Sequence, residues 1–319
     1  MNLGNPDRPV GGLSVPRPEG VEIRPLARDD FADALALVRE LYGLPDADPE
    51  PHRAAFESLV NDPDATPFLA IADGTPAGLI VFRFRRRLNH ATFEGWVSDL
   101  VVSEPFRGRG IGRALMAAVI AEWRLRGSHR IQLEVGGDRT VARSLYEAIG
   151  FVEQGRYFEI GPLATRGIPL PADVEIRPIV DDDADFEATT RLLAELGRPA
   201  PTDEKLPALR RTYTQHVGRS DTGSLLATLD GQPVGFVSLE FRQPFFTLAP
   251  QGWIPDLIVT EAARGRDIGA ALLDRAFAEA QRRGAYAVAL ESGHQRAVAH
   301  RLYLASGMVD VGVFAWLDR

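Results

Sequence analysis

The stretch 107-RGRGIGRAL-115 returns 157 residues later as 264-RGRDIGAAL-272, with one glycine changed to aspartate. Three more pairs keep that offset of 157: SDLVV (98–102) with PDLIV (255–259), LEVG (133–136) with LESG (290–293), and SLYEAIGF (144–151) with RLYLASGM (301–308). VEIRPL (21–26) likewise returns as VEIRPI (174–179). Spacing this constant marks a tandem duplication, so one half decides the fold of both. The expected domains are 21–160 and 174–319, joined by the Pro- and Gly-rich linker 161-GPLATRGIPLPAD-173 and preceded by a flexible tail over 1–20.

Within the first half, VEIRPL alternates as a strand does, and DDFADALALVRELY (29–42) has acidic residues first and apolar spacing of three to four, as a helix does. Strands are expected at 68–73, 76–84 and 93–102, the last running straight into the glycine turn. A helix follows, with Ile111, Leu115, Val119, Ile120 and Trp123 on one face, ending near Gly127. IQLEV (131–135) is a buried strand, 139–149 a short helix and 151–160 a closing strand. The order βααβββαβαβ predicts an α+β fold, each half a mixed, largely antiparallel sheet flanked by helices.

Composition narrows the function. The 319 residues are 45% hydrophobic and 25% charged, as in a soluble globular protein, and no apolar run approaches membrane-spanning length. The first twenty residues lack the apolar core of a secretory signal. With no cysteine, disulfides, thiolate ligands and Cys nucleophiles are excluded, and the six histidines show no metal spacing. A net charge of −8 argues against extended nucleic-acid binding. A cytoplasmic protein acting on a small molecule or a protein partner is expected, without metal and without a membrane role.

A strand entering RGRGIG and then a helix sets unpaired N–H groups at a helix N-terminus, where the helix dipole attracts anions. A Walker loop would need GK[ST], which is missing, and a dinucleotide-binding turn would need GxGxxG in a parallel βαβ unit. A turn that merely fits strand to helix is the bland alternative.

In its DLVV strand, its RGRGIG loop of the form [QR]xxGx[GA] and the LYEAIGF some 35 residues on, the chain resembles the GCN5-related N-acetyltransferase (GNAT) family, as a tandem two-domain member. The resemblance spans both halves. It implies acetyl transfer from acetyl-CoA to a primary amine of a small molecule or protein by direct attack on the thioester. It also implies that Leu100, Val101 and Val102, with Arg107, Gly108, Arg109, Gly110, Ile111, Gly112 and Arg113, hold the cofactor. Tyr146 sits where the family carries the tyrosine that touches the cofactor and protonates the leaving thiolate, and Tyr303 is its counterpart. The family often has asparagine seven residues before that tyrosine; here Arg139 and Arg296 stand there. A non-catalytic acyl-CoA-binding or scaffold protein, and catalysis in the C-terminal half, are the competing readings.

Asp267 stands where Gly110 stands. A carboxylate about 5 Å from a pyrophosphate charge costs on the order of 3 kcal/mol at an effective dielectric near 20, so the second half is expected to be degenerate. For the general base, Glu94, Asp99 and Glu134 all lie on strands near the loop. Alternation sets Glu94 and Trp96 on one face and Asp99 on the other. Glu94 aligns with Gln251, whereas Asp99 and Glu134 align with Asp256 and Glu291, so Glu94, present in one copy alone, is the preferred base. The acceptor is expected between the first helices and the hairpin 83-RFRRRLNHATFE-94. Its arginine run reads as a solvated edge in preference to a site for an acidic acceptor. His52 and His90 read as surface residues.

Overall fold

The computed structural model describes residues 18–44 and 48–318; most of the expected N-terminal tail lies outside these residues. The first half runs β1 (Val21–Pro25), α1 (Phe31–Tyr42), α2 (Glu50–Asn61), β2 (Phe68–Ala72), β3 (Thr75–Arg85), β4 (Glu94–Val102), α3 (Ile111–Arg126), β5 (Arg130–Gly136), α4 (Thr140–Ile149) and β6 (Val152–Ile160). Residues 161–173 cross without regular structure and dock on the second half, where Asp274 accepts from the Arg166 and Ile168 amides.

The second half continues with β7 (Val174–Pro178), α5 (Asp183–Glu195), α6 (Leu206–Gly218), β8 (Leu225–Leu229), β9 (Gln232–Val237), β10 (Glu240–Arg242), β11 (Gln251–Trp253), β12 (Leu257–Val259), α7 (Ile268–Arg282), β13 (Ala287–Gly293), α8 (Ala297–Ala305) and β14 (Val309–Asp318). The halves therefore differ. The single strands β3 and β4 correspond to broken pairs in the second copy, and Pro255, between β11 and β12, takes the place of Ser98. A proline has no N–H for the ladder.

The two sheets are ordered β1-β2-β3-β4-β5-β14-β6-β13-β11-β10 and β12-β9-β8-β7. The closing strands are exchanged: β14 pairs antiparallel with β5 of the first half, and β6 pairs antiparallel with β13 of the second. Between them β6 and β14 pair with each other, so one sheet runs through both halves.

Apolar arms cross over as well. Phe245, from the loop between β10 and β11, is buried among Phe31, Phe56 and Leu59 of the first half. Its neighbour Phe246 stacks on Tyr42 with centroids 3.8 Å apart. In return Leu88, from the hairpin between β3 and β4, is buried against Leu192, Leu193 and Tyr213 on α5 and α6. Burying a Phe or Leu side chain is worth about 1.5–3 kcal/mol, so these crossings tie each half's helices to the other's hairpin.

Candidate active site

β4 and β5 pair in parallel only from Glu94↔Arg130 to Val97↔Leu133. Beyond that the strands part, and residues 98–102 and 134–136 border an open wedge. A register shift in the β3–β4 ladder leaves Ser98 as an extra, unpaired residue, a β-bulge. The bulge also overturns one expectation. By alternation alone Trp96 and Asp99 would face opposite ways; the inserted residue changes the parity, and both line the same cavity.

At the far end of β4 the chain enters the glycine loop. Gly108 (φ 80°) and Gly110 (φ 82°) both take left-handed backbone, which glycine adopts without strain. Gly110 caps α3 with no side-chain hydrogen bond and no acidic residue follows in the first turn, so the leading N–H groups are free to face an anion. Gly112 packs closely; a Cβ there would lie 3.3 Å from Leu145. Arg107 donates from Nε to the Val102 carbonyl (3.0 Å) and pairs with Glu40, while Arg109 pairs with Asp73 (2.7 Å). Leu100 and Val102 pack toward α3, Val101 is buried beneath α1, and Ile111 is buried in the core. The loop thus has the donors and the room that a pyrophosphate requires.

In the second copy, Asp267 adopts the left-handed conformation (φ 58°) and caps α7. Aspartate tolerates this geometry, so the turn is preserved while its charge changes. The first loop carries Arg107, Arg109 and Arg113, a charge of +3; the second carries Arg264, Arg266 and Asp267, a charge of +1, because Ala270 replaces Arg113.

The wedge opens into a cavity of about 410 Å³. At one end Asp99 accepts from the Tyr42 hydroxyl and from Ser98 Oγ (2.6 Å). Glu134, Tyr157 and Tyr286 form the walls, and Arg242, Gln243 and Phe246 close it from the second half. The cavity is therefore lined by both halves. Tyr146 is buried on α4, and burial, with Asp99 nearby, pushes its phenol up to about 12. It stays protonated at neutral pH. Arg139 reaches the Leu41 carbonyl (3.5 Å) and Arg296 the Leu196 carbonyl (2.9 Å), so both tie α4 or α8 to the end of a helix.

Glu94 is not placed to act as a base. It is 1% exposed and held by Arg85 (2.7 Å) and Arg87 (2.9 Å). Although burial opposes its charge, the two guanidinium groups hold the carboxyl well below the usual carboxylate range. A carboxylate so stabilised is a poor proton acceptor at neutral pH. Its presence in one copy alone has a structural cause. Arg85 matches Arg242, but Arg87 matches Pro244, so the first copy has two guanidinium groups to neutralise and the second has one. There Gln251 accepts from Arg242 Nε (2.8 Å).

The expected solvated arginine edge is likewise corrected. Arg87 is buried and Arg85 nearly so, and they build the centre of the molecule. Arg85 lies over the Trp253 ring and Arg242 over the Trp96 ring, each 3.9 Å from the centroid. Trp96 Nε1 donates to Glu134 (2.7 Å) and Trp253 Nε1 to Glu291 (2.8 Å), a pseudo-twofold arrangement. Glu134 and Glu291 lie close to each other; burial and the neighbouring carboxylate push Glu134 up, while against the cost of burial Arg85 holds Glu291 down. His90 stacks on His129 at 4.1 Å and burial lowers it to about 4; His52 faces the Phe245 carbonyl.

The corresponding place in the second half is closed. Asp256 is paired with Arg198 (2.8 Å), and Arg198 and Arg87 both point at the Pro255 carbonyl. The space left is about 130 Å³. The exchange of Ser98 for Pro255 is visible in the sequence; the plugging by Arg198, which follows the end of α5, is a tertiary fact.

The model of the acetyltransferase (GNAT) family matches residues 31–151 and 189–308. The chain is 30% identical over 130 residues to an aminoalkylphosphonate N-acetyltransferase of Salmonella typhimurium, covering 41% of this chain and 84% of that one. It is 33% identical over 147 residues to a mycothiol acetyltransferase of Acidothermus cellulolyticus, covering 44% and 42%. A GCN5-related N-acetyltransferase of Sphaerobacter thermophilus superposes with a TM-score of 0.63 over 94% of this chain and 96% of its own, at 24% identity, a likeness of fold. The chain belongs to the acetyltransferase (GNAT) family and carries two copies of its domain. It is an N-acetyltransferase with acetyl-CoA as cosubstrate. No helix among the described residues is long and apolar enough to cross a membrane.

Proposed function

We propose that the first half, residues 21–160, carries the working site and that the second half, residues 174–319, serves as its scaffold. The observation that carries this is the contrast at the wedge: Ser98 at a bulge beside an open 410 Å³ cavity in one copy, Pro255 and Arg198 in a closed one in the other. The acceptor is a primary amine of a small molecule or protein, and the setting is the cytoplasm, as composition leads one to expect.

When bound, acetyl-CoA supplies the acetyl group as a thioester. Backbone groups of Leu100–Val102 and the loop Arg107–Arg113 hold and align it. Asp99, fixed by Tyr42 and Ser98, draws the acceptor ammonium into the cavity and receives a proton from it, directly or through water. The free amine nitrogen then bonds to the acetyl carbon as the carbon–sulfur bond breaks. Tyr146 gives its phenolic proton to the departing sulfur, and the second proton, shed by nitrogen as the amide forms, returns to the phenolate, so the one net proton released is the one taken by Asp99. The broken strand of the second half, with Asp267 at its loop, supports the reading that this half does not turn over.

The test is thiol release from acetyl-CoA with a panel of primary amines, measured for the wild type and for Tyr146→Phe. Turnover lost in the variant with acetyl-CoA binding intact is the expected result. Saturable acetyl-CoA binding without turnover on any amine would favour the non-catalytic alternative.

A further inference from the structure

At the centre of the molecule Arg242 is not paired as its counterpart Arg85 is. Arg85 donates from Nε to a carboxylate, Glu94, whereas its counterpart Arg242 donates from Nε to a neutral amide, Gln251. Arg83, on the same wall, has Asp62 at 2.9 Å, and Arg219, across the neighbouring space, has Asp221 at 2.7 Å. Among the described residues Arg242 has no carboxylate within ion-pairing distance, and its Nη1 is buried without a hydrogen-bond partner. Arg85 and Arg87 share the carboxylates of Glu94 and Glu291, with Glu240 near both, whereas Arg242 makes no ion pair among the described residues. Arg242 is half-buried, and a buried guanidinium nitrogen left without a partner is costly to keep.

Its place gives it a use. Arg242 lines the acceptor cavity and also a larger space of about 840 Å³ between α2 and α6. Trp96, Arg83 and Gln243 line both as well, so Arg242 stands at the junction. The cavity is lined by both signs of charge, with Glu134 and Glu159 besides the two groups that mark its ends. Asp99 marks the end at the wedge, and Arg242 marks the wall contributed by the second half. Its guanidinium carbon lies over the Trp96 ring at 3.9 Å from the centroid, a contact that helps hold the fork in place.

We propose that Arg242 is a specificity residue for an acidic group on the acceptor: the substrate is a small amine that also carries a phosphate, phosphonate or carboxylate, which accepts from the unused guanidinium edge while its ammonium faces Asp99. The second half would then contribute to catalysis in the first through its own side chain. This rests on the first half's being the working site.

Two readouts test it. The first uses matched acceptors, ethanolamine phosphate against ethanolamine and β-alanine against propylamine, with the wild type, Arg242→Gln and Arg242→Lys. The acidic partner of each pair is expected to have the higher kcat/KM. Arg242→Gln should raise KM for it about ten- to hundredfold, affect the neutral partner far less, and be partly rescued by Arg242→Lys. Equal use of acidic and neutral acceptors, or equal loss on both in Arg242→Gln, would overturn the proposal. The second needs no turnover. Methylphosphonate titrated into the intact protein should change tryptophan fluorescence saturably, because Arg242 covers Trp96, and Arg242→Gln should abolish the change while acetyl-CoA binding and thermal stability hold. No saturable change in the wild type would overturn the acidic-acceptor site, whereas a saturable change with no amine acetylated would count against the proposed activity alone.

Discussion

Replacing Glu94 by Gln separates a structural carboxylate from a catalytic one. The side chain is 1% exposed and bonds two guanidinium groups at 2.7 and 2.9 Å. Gln keeps the shape but strands Arg85 and Arg87 as buried charges, and breaking a buried pair this way costs about 3–5 kcal/mol. For a domain of this size each kcal/mol moves the melting temperature by about 2–4 °C, so a fall of about 6–20 °C is expected. The pH sign follows from the lowered carboxyl. Its stabilising contribution is fully present above the ordinary carboxylate value near 4.3 and is lost as pH falls from there toward the lower value in the folded protein. Glu94→Gln should therefore flatten the acid side of the stability profile. Calorimetric melts from pH 3 to pH 8 read both effects, and thiol release per folded molecule reads activity, which should stay within a few-fold of wild type. An unchanged melting temperature together with a thousandfold fall in kcat would refute this and return Glu94 to the role of base.

Tyr146→Phe should lower kcat by about 10²–10⁴ with acetyl-CoA affinity intact, whereas Tyr303→Phe should leave thiol release unchanged; because Tyr146 is pushed up to about 12, no loss of its proton should appear in the rate below about pH 10. Asp99→Asn should cut kcat/KM by about a hundredfold and shift the pH optimum upward, since the acceptor must then lose its proton unaided; steady-state kinetics against pH reads this. Phe245→Ala should cost about 3–5 kcal/mol in melts, and should raise KM for the acceptor more than for acetyl-CoA because this loop closes the acceptor cavity.

The strand and helix order of the first half follows from periodicity and capping, and each expected element appears within a residue or two. The glycine loop was legible because left-handed backbone at Gly108 and Gly110 is a local demand that the sequence states directly. The strand exchange was not. β6 and β14 each pair on both sides, and nothing in the alternation of either strand names its partner. Glu94 was misread because its conservation of charge in one copy alone answers to Arg87, whose side chain meets it only through the fold. Asp99 was assigned to the wrong face because a bulge cannot be seen in an alternation count. Pro255 was on the page, and its consequence, a strand broken where its counterpart opens the wedge, follows from the missing N–H alone.

If one cradle of two holds the cofactor, calorimetric titration of the intact protein with acetyl-CoA reads it as stoichiometry. The prediction is one site per chain, weakened about a hundredfold or lost in Gly110→Asp and unchanged in Asp267→Asn. Two equivalent sites, or one site that survives Gly110→Asp, would contradict it.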